Sequence, residues 1–328
     1  MKTWNELPGL ERELEQVERC LGELGRDPLG REPLSAIMKT AMEQKGKRIR
    51  PVLILLAGRL GPDYPDAGER LCRLATVVEL THAASLIHDD IIDDAPLRRG
   101  RPTVQASFGK DMAVYAGDFL LSRILGYLME HRMIESGTIL ARSMTEMCCG
   151  EITQYEAQFD TETGEERYFT SILGKTAAMF AASCELGALE TGCDEAVVSG
   201  MRQFGRELGV LYQLRDDLLD FTSSAEQEGK PAGSDFRHGI YTLPVLHAFA
   251  DPGVGPELKE IARKIPYGDP EGVLYRRMEE LVAAAGGVEY TRRVAARYES
   301  SACKWLACAP DSSAVEVLER LTHALAAV

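Results

Sequence analysis

The sequence contains no apolar run approaching the roughly 18 residues of a membrane span. Its longest obvious ones, Val52–Ala57 and Ala177–Ala182, are six residues each, and Met1–Arg26 is too charged for a signal peptide. A soluble, cytoplasmic protein with no transmembrane segment is expected. No CxxC pair occurs among the eight cysteines at 20, 72, 148, 149, 184, 193, 303 and 308. That spacing argues against a thiolate metal site or a disulfide framework and for reduced core thiols. Basic charge is in deficit, with 37 Lys and Arg against 51 Asp and Glu and a net charge of -14. Only short basic clusters exist, so a nucleic-acid partner is excluded by long-range repulsion. Low-complexity linkers and composition breaks are also missing. With 45% hydrophobic residues among 328, the chain suits one large core, and a single domain spanning 1–328 is expected.

Strands are scarce as well. Apolar residues recur at helical spacing, as in Leu71, Leu74, Ala75 and Val78, or Phe204, Leu208, Leu211 and Leu214. Gly and Pro punctuate these runs at Gly61-Pro62, Pro65, Pro96, Gly100–Pro102, Gly174, Gly192, Gly229–Gly233, Pro252 and Pro266–Gly268. The expected fold is an all-α bundle of roughly a dozen helices around a central cavity, with long helices near 66–94, 111–132, 137–160 and 195–224.

One signature repeats. DDIID at 89–93 recurs as DDLLD at 216–220, each near the end of a long apolar-patterned helix. On a helix, Asp89 and Asp93 are i and i+4 and share a face, as do Asp216 and Asp220. Two carboxylates at about 5–6 Å repel by about 3 kcal/mol at an effective dielectric near 20. A single motif of this kind reads equally well as a solvated helix end. Two copies flanked by Ile91, Ile92, Leu218 and Leu219 do not. Such carboxylates suit Mg²⁺, a hard cation that takes oxygen ligands and is completed by substrate phosphates.

Cations stand nearby in the sequence. Arg98 and Arg99 follow the first motif, Lys47, Arg48 and Arg50 sit in GKRIRP, Lys175 falls in LGKTAA and Lys230 in EGKPAGSD. Singly each reads as a surface charge; together they supply enough positive charge for two diphosphates. His82 lies two turns before Asp89 on the same face, and the residues alone favour a core histidine there.

These motifs resemble the trans-isoprenyl (polyprenyl) diphosphate synthases. The resemblance is carried by GKRIRP (46–51), ELTHAASLIHDDIIDDAPLRRGRPT (79–103), YAGDFLL (115–121), GEITQ (150–154), GKTA (174–177), YQLRDDLLDF (212–221) and GKPAGSD…TLP (229–244). It implies the isoprenoid synthase fold and a prenyltransferase that condenses isopentenyl diphosphate head to tail with an allylic diphosphate. It further implies that Asp89, Asp90, Asp93, Asp216, Asp217 and Asp220 hold Mg²⁺ against the allylic diphosphate, which Arg98, Lys175 and Lys230 contact. Lys47, Arg50, His82 and Arg99 would hold isopentenyl diphosphate, and Thr176 and Gln213 would lie beside the reacting carbons. Ala84 and Ser85, one turn before Asp89, are small where bulky aromatics give short products, so a product of about six to eight isoprene units is expected. The wording is most like the catalytic subunit of bacterial heptaprenyl diphosphate synthases, which serve menaquinone synthesis. That implies a small partner subunit, the family's usual alternative being a homodimer, with transient membrane contact compatible with product release.

Two positions depart from the family pattern. Arg215 precedes the second motif where an uncharged or smaller residue is usual, and Ile240 stands where many members have a lysine on the allylic diphosphate. A terpene cyclase, the first rival, has no use for the cations of GKRIRP and LRRGRP. A non-catalytic subunit has no need to keep six aspartates, and a short-chain synthase remains the alternative on product length.

Overall fold

The computed structural model describes residues 9–43, 46–222, 234–269 and 272–327. Their regular structure is helical apart from one hairpin of two-residue strands. The helices are α1 (Leu10–Leu24), α2 (Leu34–Met42), α3 (Ile49–Gly58), α4 (Tyr64–Ile92), α5 (Val104–Phe108), α6 (Lys110–Glu130), α7 (Ile134–Glu156), α8 (Glu165–Ile172), α9 (Ala178–Glu190) and α10 (Glu195–Thr222). There follow α11 (Ser234–Arg237), α12 (Leu243–Ala250), α13 (Gly255–Lys264), α14 (Val273–Ala284), α15 (Gly287–Trp305) and α16 (Ser313–Ala326). The four long expected helices are α4, α6, α7 and α10.

The chain divides into two compact units. The first comprises 1–142, 182–202 and 308–318. In it α4 packs against α1, α3 and α6. Leu71, Leu74, Ala75 and Val78 are all fully buried, as the spacing requires, and so is the Leu53–Leu56 run of α3. The α3 helix is buried on most sides, which is why it reads as a nearly continuous apolar segment, whereas α4 keeps a polar face. Gly187 lets α9 close on α3, since a Cβ there would lie 2.3 Å from the Ile54 carbonyl.

The second unit comprises 143–181, 203–307 and 319–328. Its core includes Phe236, Tyr241, Val245, Leu258, Met278 and Val282. There α12 packs against α8, α13, α14 and α15. Between α8 and α9 the helix widens into a π-helical turn over Leu173–Ala177. Such turns concentrate at functional sites, and this one carries GKTA. Gly174 and Gly150 meet there, a Cβ on Gly174 falling 2.8 Å from the Gly150 Cα.

All eight cysteines are free thiols; Cys72 and Cys184 are core, while Cys148 and Cys149 are exposed. Among the described residues one mixed cluster, Cys303 with Glu319 and His323, has metal-ligand spacing. His323 there is held 2.7 Å from Glu299. Two helical stretches, Lys110–Glu130 and Glu165–Glu190, are long and apolar enough to cross a membrane. A search for unbroken apolar runs misses them because polar residues interrupt both. The second is 83% buried, as a core helix is; the first is 33% buried, through a stripe that includes Ala113, Leu120 and Ile124.

Replacing Gly187 with Val should lower stability to urea by about 1–3 kcal/mol, the usual cost of overpacking a closed helix contact. An unchanged unfolding midpoint would show that α9 can move off α3.

Candidate active site

In the first unit, α4 delivers the DDIID motif at its end, with Asp93 as its C-cap and Asp94, φ 49°, in the turn that follows. Asp94 pairs with Lys110 Nζ at 2.9 Å, an exposed contact on the outer side of the turn. The three motif aspartates differ. Asp93 is exposed and Asp89 partly so, whereas Asp90 is only 3% exposed. Asp90 Oδ1 accepts from Arg98 Nε at 2.7 Å. Burial raises the Asp90 pKa and the Arg98 charge opposes that rise.

The Arg98 contact depends on the hairpin. Leu97–Arg98 pairs antiparallel with Arg101–Pro102. The connecting residues Arg99 and Gly100 have φ 52° and 75°. Two positive φ values define a type I′ turn, which suits glycine and costs a residue such as Arg99 about 1–2 kcal/mol. Thr103 closes the loop by donating to the Ala95 carbonyl at 2.7 Å and accepting from Ala106 N to start α5. The Arg99 guanidinium is thereby laid against Gly46, whose Cβ, if present, would be 2.9 Å from Nη1.

GKRIRP has the same kind of strain. Arg48 (φ 53°) precedes α3 and is anchored by Glu18 at 2.5 Å and by Glu79 at 2.7 Å. Pro51 falls in the first turn of α3, where no amide donor is needed. His82 collects the result. Its pKa is driven well below 6.5, first by burial and then by Arg50, Arg99, Arg98 and Arg48. Four guanidinium groups acting on a neutral imidazole make a region of positive potential, to which an anion would be drawn. The structure thus brings Arg50, His82, Arg98 and Arg99 together, while Lys47 is exposed on its loop. Ala84 is fully buried, and Ser85, partly buried, donates to the His82 carbonyl at 2.9 Å.

The second unit carries a cavity of about 200 Å³ lined by Lys175, Gln213, Asp216, Asp217 and, beyond the expected set, Asp235 and Arg167. Thr176 Oγ1 donates to Gln213 Oε1 at 2.8 Å, and Gln213 Nε2 donates to Asp217 Oδ1 at 2.9 Å. The Tyr168 hydroxyl donates to Asp217 Oδ2. Asp217 is 1% exposed with both oxygens occupied, whereas Asp216 is exposed and Asp220 partly so. Burial pushes Asp217 from 3.8 up to about 7, against its two hydrogen bonds and with Asp235 and Asp216 adding to the rise. Burial and the Asp217 charge hold Tyr168 well above 10. Lys175 Nζ is 3.0 Å from Glu151.

Lys230 lies outside the described residues. Of the two departures, Ile240 lines the second unit's cavity, its N–H bound to the Asp235 carbonyl at 2.9 Å. Arg215 turns away from the Gln213, Asp216 and Asp220 face at 100° per residue. Its Nε and Nη1 are buried without a hydrogen-bond acceptor among the described residues. Tyr168, Asp235, Glu151 and Arg167 were not singled out from the sequence. Asp235 ends the GKPAGSD segment and Glu151 falls within GEITQ, but nothing in the spacing of Tyr168 and Arg167 marks them.

The His82 shift has a sign that can be measured. A folded value below the unfolded one means that the unfolded chain takes up the proton, so stability is full above pH 6.5 and falls as pH drops below it. His82→Gln should remove up to about 1.4 kcal/mol per pH unit of that slope between pH 6.5 and 5.5 in urea unfolding without diphosphate. A variant with the wild-type slope would show that His82 titrates normally.

A profile of the polyprenyl synthetase family matches residues 31–270. The chain is 43% identical over 260 residues to heptaprenyl diphosphate synthase component 2 of Geobacillus stearothermophilus, spanning 77% of this chain and 78% of that protein. Among solved structures, a polyprenyl synthase of Caulobacter crescentus CB15 complexed with calcium and isoprenyl diphosphate is 33% identical, with a TM-score of 0.88 over 97% of this chain and 95% of that one. The heptaprenyl diphosphate synthase of Staphylococcus aureus is 28% identical, with a TM-score of 0.88 over 98% of both chains. With its helical fold, its two Asp-rich helix ends and these relatives, the chain belongs to the polyprenyl synthetase family and is a prenyltransferase.

Proposed function

We propose that the enzyme condenses isopentenyl diphosphate with an allylic prenyl diphosphate to give a long all-trans prenyl diphosphate. The observation that carries this reading is the split within each Asp-rich motif. Asp89 with Asp93, and Asp216 with Asp220, are i,i+4 pairs at the more exposed positions, while Asp90 and Asp217 are buried on protein donors. An all-oxygen donor set of this kind fits Mg²⁺, and the calcium bound by the Caulobacter relative supports a divalent cation. Asp89 and Asp93 would hold one such ion and Asp216 and Asp220 another, with Asp90 and Asp217 beneath each pair. When bound, the metal neutralises charge building on the departing diphosphate.

The chain's own residues do the rest. Arg98 and Lys175 bind the allylic diphosphate, with Lys230 assigned the same role by resemblance. Arg50, Arg99, Lys47 and neutral His82 hold isopentenyl diphosphate by charge-assisted hydrogen bonds. Gln213, fixed between Thr176 and Asp217, is held beside the reacting carbons with no protein nucleophile needed. The allylic C–O bond ionises, the isopentenyl double bond attacks the cation, and the proton lost from the adduct passes to released diphosphate. Exclusion of water protects the cation.

Full burial of the small side chain Ala84 is compatible with a chain-length position on α4. Component 2 in the name of the Geobacillus relative supports a second subunit. Exposed apolar side chains on α6, Tyr115 at 65% and Leu125 at 60%, supply a surface for that subunit or for a second copy.

Purified protein given Mg²⁺, isopentenyl diphosphate and farnesyl diphosphate should yield a prenyl diphosphate of about six to eight isoprene units by chromatography, the depth expected from small side chains one turn before Asp89. A cyclised hydrocarbon, or inactivity both alone and with candidate small subunits, would overturn the reading. Ala84→Phe should shorten the product. An unchanged product length would remove Ala84 as the ruler.

A further inference from the structure

Among the described residues that line the second unit's cavity, carboxylates outnumber cations. Three carboxylates line it, Asp216, Asp217 and Asp235, yet Lys175 and Arg167 are the only cations among its lining residues. Position 240 contributes an isoleucine side chain instead of a cation. An incoming diphosphate adds further negative charge beside these aspartates, so a second cation next to Lys175 would favour its binding alongside Arg98 and Lys230.

Arg167 is placed to answer. It lies on α8, eight residues before Lys175, and the two cations are held in matching ways by the end of α7. Lys175 pairs with Glu151 at 3.0 Å and Arg167 pairs through Nη2 with Glu156 at 2.9 Å. Both cations remain partly exposed, Lys175 at 34% and Arg167 at 37%. Ion pairs this wet contribute about 0–1 kcal/mol. A diphosphate can therefore draw either cation off its carboxylate at little cost. Guanidinium also offers a fork that grips two phosphate oxygens at once, which an ammonium cannot do.

We infer that Arg167 is a diphosphate-binding residue of this cavity, taking the role left open by Ile240 and held by Glu156 until substrate arrives. This rests on the prenyl-transfer reading above. It differs from a structural role for the Arg167–Glu156 pair, which would be to tie α8 to the end of α7. Either partner's loss would break such a tie, but only loss of Arg167 removes a ligand for the substrate.

The test uses the full-length protein with Mg²⁺ and farnesyl thiodiphosphate, an analogue that binds without ionising, read by calorimetry, together with steady-state kinetics. Arg167→Gln should weaken analogue binding and raise the KM for farnesyl diphosphate by tenfold or more, leaving the KM for isopentenyl diphosphate within twofold. Glu156→Gln should leave analogue binding unchanged or tighter. Ile240→Lys in the Arg167→Gln background should recover most of the lost affinity. Wild-type binding with an unaffected Arg167→Gln variant overturns the inference alone, as does a Glu156→Gln variant that loses affinity equally. A wild type that neither binds the analogue nor elongates farnesyl diphosphate overturns both this and the prenyl-transfer reading.

Discussion

A carboxylate sealed from water has to be met by donors, and each Asp-rich motif is organised around one such group. Asp90, 3% exposed, is met by Arg98, and Asp217, 1% exposed, by Tyr168 and Gln213. Removing one partner of a buried charge pair such as Asp90–Arg98 costs about 3–5 kcal/mol, and leaving a buried acceptor such as Asp217 short of a donor about 1–3 kcal/mol, so these contacts dictate what surrounds them. The demand of Asp90 fixes Arg98, and through Arg98 the hairpin that carries Arg99 to Gly46. The demand of Asp217 fixes Gln213, and Gln213 in turn fixes Thr176. In both motifs the buried member leaves the i,i+4 pair around it toward solvent, where oxygen atoms can be lent to a cation.

Two of the five described non-glycine residues with positive φ fall in the arginine-bearing loops of the first unit. Arg48 and Arg99, both non-glycine, hold φ near 50°, and each is over-determined by its neighbours, Glu18 and Glu79 for one and the hairpin for the other. Backbone strain of this kind persists only where packing supports it, and it concentrates at ligand sites. Four arginines set around His82 before any anion arrives are mutually repulsive. A neutral ring keeps a fifth charge out of that cluster.

Much of this was legible in the sequence, for reasons that are themselves physical. A 3.6-residue period over 20 or more positions leaves little choice but a helix, and α4, α6, α7 and α10 fall where their apolar spacing put them. Carboxylates repeated at i,i+4 announce a cation because nothing else justifies their repulsion. What stayed hidden depended on long-range placement. Asp90 and Asp217 sit in the same DDxxD strings as their neighbours, and only burial separates them from the outer pairs. Tyr168 and Arg167 acquire roles through α8 meeting α10 and α7, contacts that no local pattern encodes. The hairpin at Leu97–Pro102 was too short for a two-residue period to register, although Gly100 marked its turn. The charge-interrupted apolar stretches of α6 and of α8 to α9 escaped a search for unbroken runs in the same way.

Each motif divides into an outer pair that can take metal and a buried member held by protein donors, and the position of bound metal reveals that division. A crystal of the protein grown with Mn²⁺ and farnesyl thiodiphosphate would locate the ions by anomalous scattering. Ions are expected on oxygens of Asp89, Asp93, Asp216 and Asp220, with Asp90 still on Arg98 and Asp217 still on Tyr168 and Gln213. Ions bonded to Asp90 or Asp217, with those donors displaced, would contradict that division.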